Sequence, residues 1–160
     1  MKITFAKRIL LASVAALSIT AAPIAVSHLD DKEMGQSYRQ SWFALVALNF
    51  GPMTSMLKGD IPWNDAQMAN WGKELGALAS MDGTRGFAPG SEKGTTRAKP
   101  EIWKNMDDFK AKMGDFTEAA TNLAAVSGSG DKKAIAGAIA ATGKSCKGCH
   151  DEYKAENYLY

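Results

Sequence analysis

Both cysteines and one of the two histidines of this 160-residue chain lie within five consecutive residues near its C-terminus. They are Cys146, Cys149 and His150, in the stretch SCKGCHDEY. Cysteines three positions apart on a helix share one face, and the histidine lies one turn after the first of them. Cys-x-x-Cys-His is the attachment pattern of c-type haem. The spacing therefore predicts one covalently bound haem c, with Cys146 and Cys149 as thioether residues and His150 as the axial iron ligand.

Three other uses of these side chains fit the sequence less well. A dithiol oxidoreductase places Cys-x-x-Cys at a helix N-terminus in a βαβ setting, and no strand pattern surrounds this motif. A disulfide between cysteines three residues apart closes too small a loop to stabilise the chain much. A zinc site needs a fourth ligand, and the other histidine, His28, lies at the expected start of the mature chain.

The first 27 residues follow the plan of a secretory signal peptide. Three basic residues are followed by an uncharged run over 9–27, which ends in the small residues of Ala25-Val26-Ser27. We predict cleavage after Ser27, export through the general secretory pathway, and a periplasmic domain over 28–160. The alternative is an uncleaved membrane anchor, but Ser, Thr and Pro interrupt the run and its apolar centre is short.

The signal peptide also explains the apparent basicity of the chain. It holds three of the 19 basic residues and none of the 17 acidic ones, which leaves the mature domain with a net charge of −1. No basic run or stripe remains in that domain, so nucleic acid is not an expected partner.

Four segments show the periodicity of amphipathic helices. The first covers about 31–58 and contains Gly51-Pro52, which should kink it. The second begins at the N-cap Asn64. The third is expected to run without a break from Pro100 to Val126, and the fourth runs from the cap Asp131 into the cysteine motif.

No segment alternates with period two, so the sequence predicts no sheet. Short connections make successive helices antiparallel neighbours, and only the linker over 82–99 is long. The expected fold is all-α, an antiparallel up-down four-helix bundle with haem c attached to its C-terminal helix.

Four stretches of the mature chain together resemble the class II c-type cytochromes, and within them cytochrome c′. They are YRQ (38–40), FAPGSEKG (87–94), KPEIW (99–103) and CKGCHDEYK (146–154). The resemblance covers the whole mature chain. It implies that Arg39 and Gln40 lie near the haem propionates, where an arginine also has the charge that two carboxylates need.

The resemblance also places Phe43 on the distal face of the haem. Low-spin relatives of the cytochrome c556 type have an iron-binding Met at this position, whereas a phenyl ring cannot coordinate. The family commonly has Arg four residues after the axial histidine, and this chain has Lys154 there. Lysine keeps the positive charge of arginine but lacks its planar guanidinium group. The resemblance therefore places Lys154 on the proximal side of the haem, without the paired hydrogen bonds that an arginine could make there.

These features predict five-coordinate iron that binds small diatomic gases, NO and CO, or exchanges electrons with small redox proteins. The alternative is a low-spin electron carrier of the cytochrome c556 type with an unidentified sixth ligand. Peroxidase chemistry needs a distal acid–base group that the sequence around Phe43 does not offer, so we expect no enzyme. The resemblance further implies a homodimer through the first two helices, with Trp42, Met56 and Trp63 as candidate contacts.

Overall fold

The chain is described by a computed structural model that covers residues 31–159, so the expected signal peptide at 1–27 and His28 lie outside the described residues. Five α-helices follow in order: α1 (Asp31–Lys58), α2 (Asp65–Ala79), α3 (Glu101–Lys104), α4 (Met106–Val126) and α5 (Lys132–Tyr153). A 3₁₀ turn at Gly83–Phe87 lies in the linker between α2 and α3. This part of the chain contains no strand beyond one isolated bridge between Ala98 and Lys154, which confirms the all-α class.

The predicted helix starts are confirmed by their caps. The Asn64 side chain accepts a hydrogen bond from the Gln67 amide at 3.0 Å and begins α2. Asp131 accepts from the amides of Lys133 and Ala134 at 2.9 and 3.0 Å and begins α5. These side chains satisfy amides that would otherwise lack partners in the first turn.

The prediction of one unbroken third helix is wrong at Asn105. That residue leaves the helical region, with φ −125° and ψ 47°, and separates the four-residue α3 from α4. Asparagine favours such local departures, and the Trp103 indole donates to the Ala88 carbonyl at 3.1 Å, which ties α3 to the linker. The apolar seam nevertheless continues across the break, since Ile102 and Phe109 are both buried.

α1 continues through Gly51-Pro52 to Lys58. The proline therefore does not end the helix, and a bend at this point stays a prediction. Among residues 31–159, no helix is both long and apolar enough to span a bilayer.

α4 packs against both α2 and α5, while α1 packs against α2 and the 3₁₀ turn. The contact of α2 with the end of α4 is close, because a Cβ at Gly72 would lie 2.0 Å from Ser127 Oγ. α1 and α5 pack against each other along much less of their length. They meet near Gly143 of α5, where a Cβ would lie 3.8 Å from Phe50 Cζ of α1. α1, α2, α4 and α5 thus form the bundle, and a space remains between its first and last helices.

Two of the candidate dimer contacts lie in the core. Trp42 and Met56 are each only 3% exposed, so neither offers a surface to a partner. Trp63 is half-buried, donates to Asp65 Oδ1 at 2.7 Å and is covered by the Lys132 ammonium at 4.7 Å. The apolar residues of α1 that do reach the surface are Met34, Leu45, Leu48 and Leu57.

Candidate functional site

A cavity of about 820 Å³ occupies the space between α1, α4, α5 and the linker. That volume lies within the range of small-molecule and cofactor sites. Most of its wall is apolar and comes from α1, the 3₁₀ turn, α3 and α4: Phe43, Ala44, Val46, Ala47, Phe50, Phe87, Ile102, Phe109, Met113 and Phe116. Such a wall suits a large, flat, apolar group.

α5 brings the three predicted attachment residues to one side of this cavity. Cys146, Cys149 and His150 all line it, and both cysteines are free thiols. Burial raises the pKa of the Cys146 thiol and raises that of Cys149 to about 11. Reactive dithiols have lowered pKa values, so these shifts speak against an oxidoreductase.

His150 lines the cavity beside the two cysteines. Partial burial lowers the pKa of the imidazole, and the positive charges of Lys154 and Arg97 lower it further. A neutral imidazole offers a free nitrogen lone pair to a metal. Among the described residues no cluster of three or more His, Cys, Asp or Glu could hold a metal ion.

The opposite side of the cavity is built on Phe43. Its ring is half-buried and lies edge-on against Trp42 at 4.8 Å and against Phe87 at 6.4 Å between centroids. The α1 residues that follow it in the wall are Ala44, Val46, Ala47 and Phe50, which carry neither a ligand atom nor a side-chain hydrogen-bond donor. The donors on the α1 wall are Arg39 and Gln40, one turn before Phe43, and both donate to the linker.

Arg39 is the main charged group of the cavity, and only 2% of it is exposed. Its guanidinium donates to the Gly86 carbonyl at 2.9 Å, to Ser91 Oγ at 3.2 Å and to Thr96 Oγ1 at 3.1 Å. The guanidinium carbon also lies 5.3 Å and 5.6 Å from the ring centroids of Phe87 and Trp103. Arg39 therefore fastens α1 to the linker as well as facing the cavity.

No carboxylate among the described residues lies within ion-pair distance of Arg39. Burial lowers its pKa. A buried charge that lacks a counter-ion is costly, and three protein acceptors leave part of its five-donor fork free. An anionic group inside the cavity would supply the missing partner.

The cavity lining as a whole is also positively charged. It includes five cationic side chains and no acidic one, the cations being Arg39, Arg97, Lys112, Lys147 and Lys154. Lys112 and Lys147 form ion pairs with Glu152 and Asp151 outside the lining, so Arg39, Arg97 and Lys154 are the cations without a carboxylate partner among the described residues. A ring system that is apolar on its faces and carries two carboxylates at its edge matches this arrangement. The residues present therefore fit haem c: α5 would hold it through two thiols and an imidazole, and Arg39 would face its propionates.

Gln40 and Lys154 also line the cavity. The Gln40 side-chain amide donates to the Thr95 carbonyl at 2.8 Å and so helps to hold the linker against α1. Lys154 is exposed, and its backbone amide donates to the His150 carbonyl at 3.1 Å to close the end of α5. Its ammonium group makes no ion pair among the described residues.

The C-terminal tail pairs with the end of the linker, a contact that the sequence pattern did not reveal. The amide of Lys99 donates to the Tyr153 carbonyl at 3.0 Å, and the amide of Ala155 donates to the Arg97 carbonyl at 2.7 Å. Arg97 Nε donates in turn to the Ala155 carbonyl at 2.8 Å. The linker is thereby fixed beside His150.

A polar network between α4 and α5 was also missed from the sequence. The Tyr153 hydroxyl donates to Asp108 Oδ2 at 2.6 Å, and Lys112 Nζ lies 3.1 Å from Glu152 Oε1 and 3.9 Å from Asp108 Oδ2. The Tyr153 ring packs edge-on against Phe109 at 5.5 Å. Because Tyr153 follows His150 by less than one turn, this network fixes the end of α5 that carries the imidazole.

Comparisons with known proteins agree with this geometry. The family model described as Cytochrome C' matches residues 36–154. Cytochrome c' of Cereibacter sphaeroides is 36% identical over 154 residues, which cover 94% of this chain and 99% of the relative. The structure of cytochrome c prime from Shewanella frigidimarina superposes with a TM-score of 0.76 at 41% identity, over 80% of this chain and 99% of that one.

A third comparison concerns a protein with a bound gas. The nitric oxide complex of a mutant of cytochrome c prime from Alcaligenes xylosoxidans superposes with a TM-score of 0.70 at 36% identity. The match covers 78% of this chain and 97% of that one.

We predict that Tyr153→Phe makes the protein less stable and changes its response to alkaline pH. The hydrogen bond to Asp108 raises the pKa of Tyr153 from 10.0 to about 12. The unfolded chain thus loses this proton at a lower pH than the folded protein, so stability falls between pH about 10 and about 12. The variant should lose about 1 kcal/mol at neutral pH, and its alkaline decline should be shallower.

Urea unfolding of the haem-loaded protein over a series of pH values measures both effects. The control is Tyr158→Phe, at an exposed tyrosine, which should unfold like the parent protein. Parallel pH curves for the parent and Tyr153→Phe would contradict the role given to this hydrogen bond.

Proposed function

The chain belongs to the cytochrome c′ family, and we propose that it is a periplasmic cytochrome that binds NO and related gases at an iron left open beneath Phe43. It carries one covalently attached haem c. The family consists of haem proteins that bind gases or transfer electrons, and not of enzymes. When bound, the haem supplies an iron that takes a diatomic ligand or exchanges an electron.

In this proposal α5 provides every bond that holds the haem. Cys146 and Cys149 would form the thioethers, and His150 would bind the iron. Their common position along one cavity wall supports this assignment, as does the lowered pKa of the imidazole, which favours its neutral form. The family pattern places Lys154 on the same side of the haem as His150. The positive charge of Lys154 lowers the pKa of the imidazole and so favours its neutral form.

The single observation that carries the gas-binding proposal is the chemistry of the α1 wall. Phe43 has no atom that can coordinate iron, and the wall residues from Ala44 to Phe50 offer no side-chain hydrogen-bond donor. Arg39 and Gln40, one turn earlier, donate to the linker. A neutral, weakly polar molecule such as NO or CO enters such a space at little cost. O₂ gains less there, because bound O₂ needs a donor for the charge that develops on it.

Electron transfer is the second function, and the cations of the cavity support it. Arg97 and Lys154 line the cavity without a carboxylate partner among the described residues. A small redox protein with an acidic surface could dock against these charges. The low-spin alternative would need a sixth ligand from the chain, and the methionine that the structure brings to the cavity is Met113.

We predict that Phe43→Ala speeds CO binding to the ferrous protein. Removing the ring uncovers the space above the iron, and we expect an association rate about tenfold higher, equivalent to a barrier lower by about 1.4 kcal/mol. Stopped-flow absorption measures the rate for CO and for NO, and O₂ should leave the parent protein's ferrous ligation unchanged over the same time.

The matched control is Phe50→Ala, which removes the same ring from the same cavity wall two turns along α1. It should alter the rate much less than Phe43→Ala. Equal rates in the parent and Phe43→Ala would remove Phe43 from the distal face.

We also propose that the protein forms a homodimer through α1 and α2. The support is an exposed apolar stripe on α1, where Met34, Leu45 and Leu48 share one face of the helix and are 50%, 47% and 67% exposed. These three residues replace the buried Trp42 and Met56 as the candidate contacts.

We predict that Leu48→Glu converts the dimer to a monomer, because a charge replaces the most exposed of these side chains. Sedimentation velocity of the haem-loaded protein measures the change. Leu159→Glu, at an exposed leucine in the tail, is the control and should leave the association unchanged. A parent protein that sediments as a monomer at all concentrations would contradict the proposal.

The proposed location also has a direct test. We predict that protein recovered from a periplasmic extract begins at His28 and has the mass of residues 28–160 plus one haem. Intact mass spectrometry measures both quantities. A mass that retains 1–27 would instead support the uncleaved anchor.

A further inference from the structure

We propose that Gly83 keeps the sulfur of Met113 away from the haem iron and thereby determines that this cytochrome has an open ligand position. The inference rests on the proposed gas-binding function and extends it to two residues that neither the family pattern nor the cysteine motif singles out. Met113 is the one methionine of the described residues that lines the cavity. Methionine thioethers are common axial ligands in c-type cytochromes.

The end of the Met113 side chain occupies the space that a side chain at Gly83 would need. A Cβ at Gly83 would lie 2.8 Å from Met113 Cε and 3.1 and 3.2 Å from two carbons of the Trp42 ring. Gly83 has no positive φ, so its backbone conformation does not require glycine. Its hydrogen instead makes room for the Met113 methyl group, which lies against the 3₁₀ turn.

The Trp42 ring and the 3₁₀ turn, which together surround the Met113 methyl group, are both held in place. The Trp42 indole donates to the Leu78 carbonyl at 3.1 Å, and its ring packs edge-on against Phe116 at 5.6 Å. The 3₁₀ turn is fixed at its start by Asp82, whose carboxylate accepts from the Thr84 amide at 2.9 Å. Methionine is unbranched and flexible, so it is the group that yields when this pocket is filled.

The cavity is where a displaced Met113 side chain would go. Met113 is buried, and it already forms part of the cavity wall together with Phe43 and Phe116. A methyl group at position 83 would push the thioether out of its pocket towards that space. With glycine at position 83, Met113 acts as apolar wall; with a larger residue there, it becomes available as a sixth ligand.

The experiment compares Gly83→Ala with the double variant Gly83→Ala/Met113→Leu. We expect Gly83→Ala to gain the near-infrared absorption of methionine-ligated ferric haem. If nine-tenths of its ferrous molecules bind the thioether, the apparent affinity for CO falls about tenfold. The double variant should lose the absorption and recover the parent affinity, because leucine cannot ligate.

Gly114→Ala is the matched control. It adds the same methyl group to the residue after Met113, at a position where a Cβ would meet nothing within 4 Å. Its spectrum and CO affinity should equal those of the parent. Circular dichroism and thermal unfolding of each holoprotein establish that the variants fold. If Gly83→Ala does not, the near-infrared spectrum of Met113→Leu is compared with that of the parent: an unchanged spectrum supports the role of glycine at position 83, and loss of a methionine-ligation band overturns it.

The outcomes separate this inference from the proposed function. Open iron in the parent and methionine-ligated iron in Gly83→Ala support both. Open iron in both proteins, or a new absorption that persists in the double variant, overturns the role of Gly83 and leaves the gas-binding proposal standing. A methionine-ligated parent that becomes open in Met113→Leu overturns both.

Discussion

The structure depends on the separation of α1 from α5 across a large apolar cavity. The side chains that line it belong to the same core that holds α2 and α4 together. Apolar surface stabilises a fold only when it is covered, and interiors are normally close-packed. The haem therefore completes the core, and its covalent attachment to α5 prevents its loss by diffusion.

Arg39 connects this core to the chain that closes it. Its hydrogen bonds to the 3₁₀ turn and to Ser91 and Thr96 hold the linker across the cavity, and its unpaired charge calls for an anionic group inside. The tail beyond Tyr153 pairs with the same linker next to His150. One buried cation thus joins α1 to the linker, and the tail joins the same linker to the end of α5.

The sequence was sufficient for the features that depend on local chemistry. The spacing of Cys146, Cys149 and His150 indicated the cofactor, the caps Asn64 and Asp131 indicated helix starts, and periodicity indicated the bundle. The break at Asn105, the hydrogen bond from Tyr153 to Asp108 and the packing of Met113 against Gly83 depend on residues distant in sequence or on backbone geometry. The pattern of residues within a single helix does not reveal such contacts, and for the same reason it does not show that Trp42 is buried.

The most direct test of an open iron is the coordination state of the wild-type haem itself. Resonance Raman spectra of the purified ferrous and ferric protein, without any added gas, report the number of axial ligands and the spin state. We predict five-coordinate, high-spin iron in both oxidation states. Six-coordinate, low-spin iron would contradict this and would show that the chain supplies a second axial ligand and is built as an electron carrier.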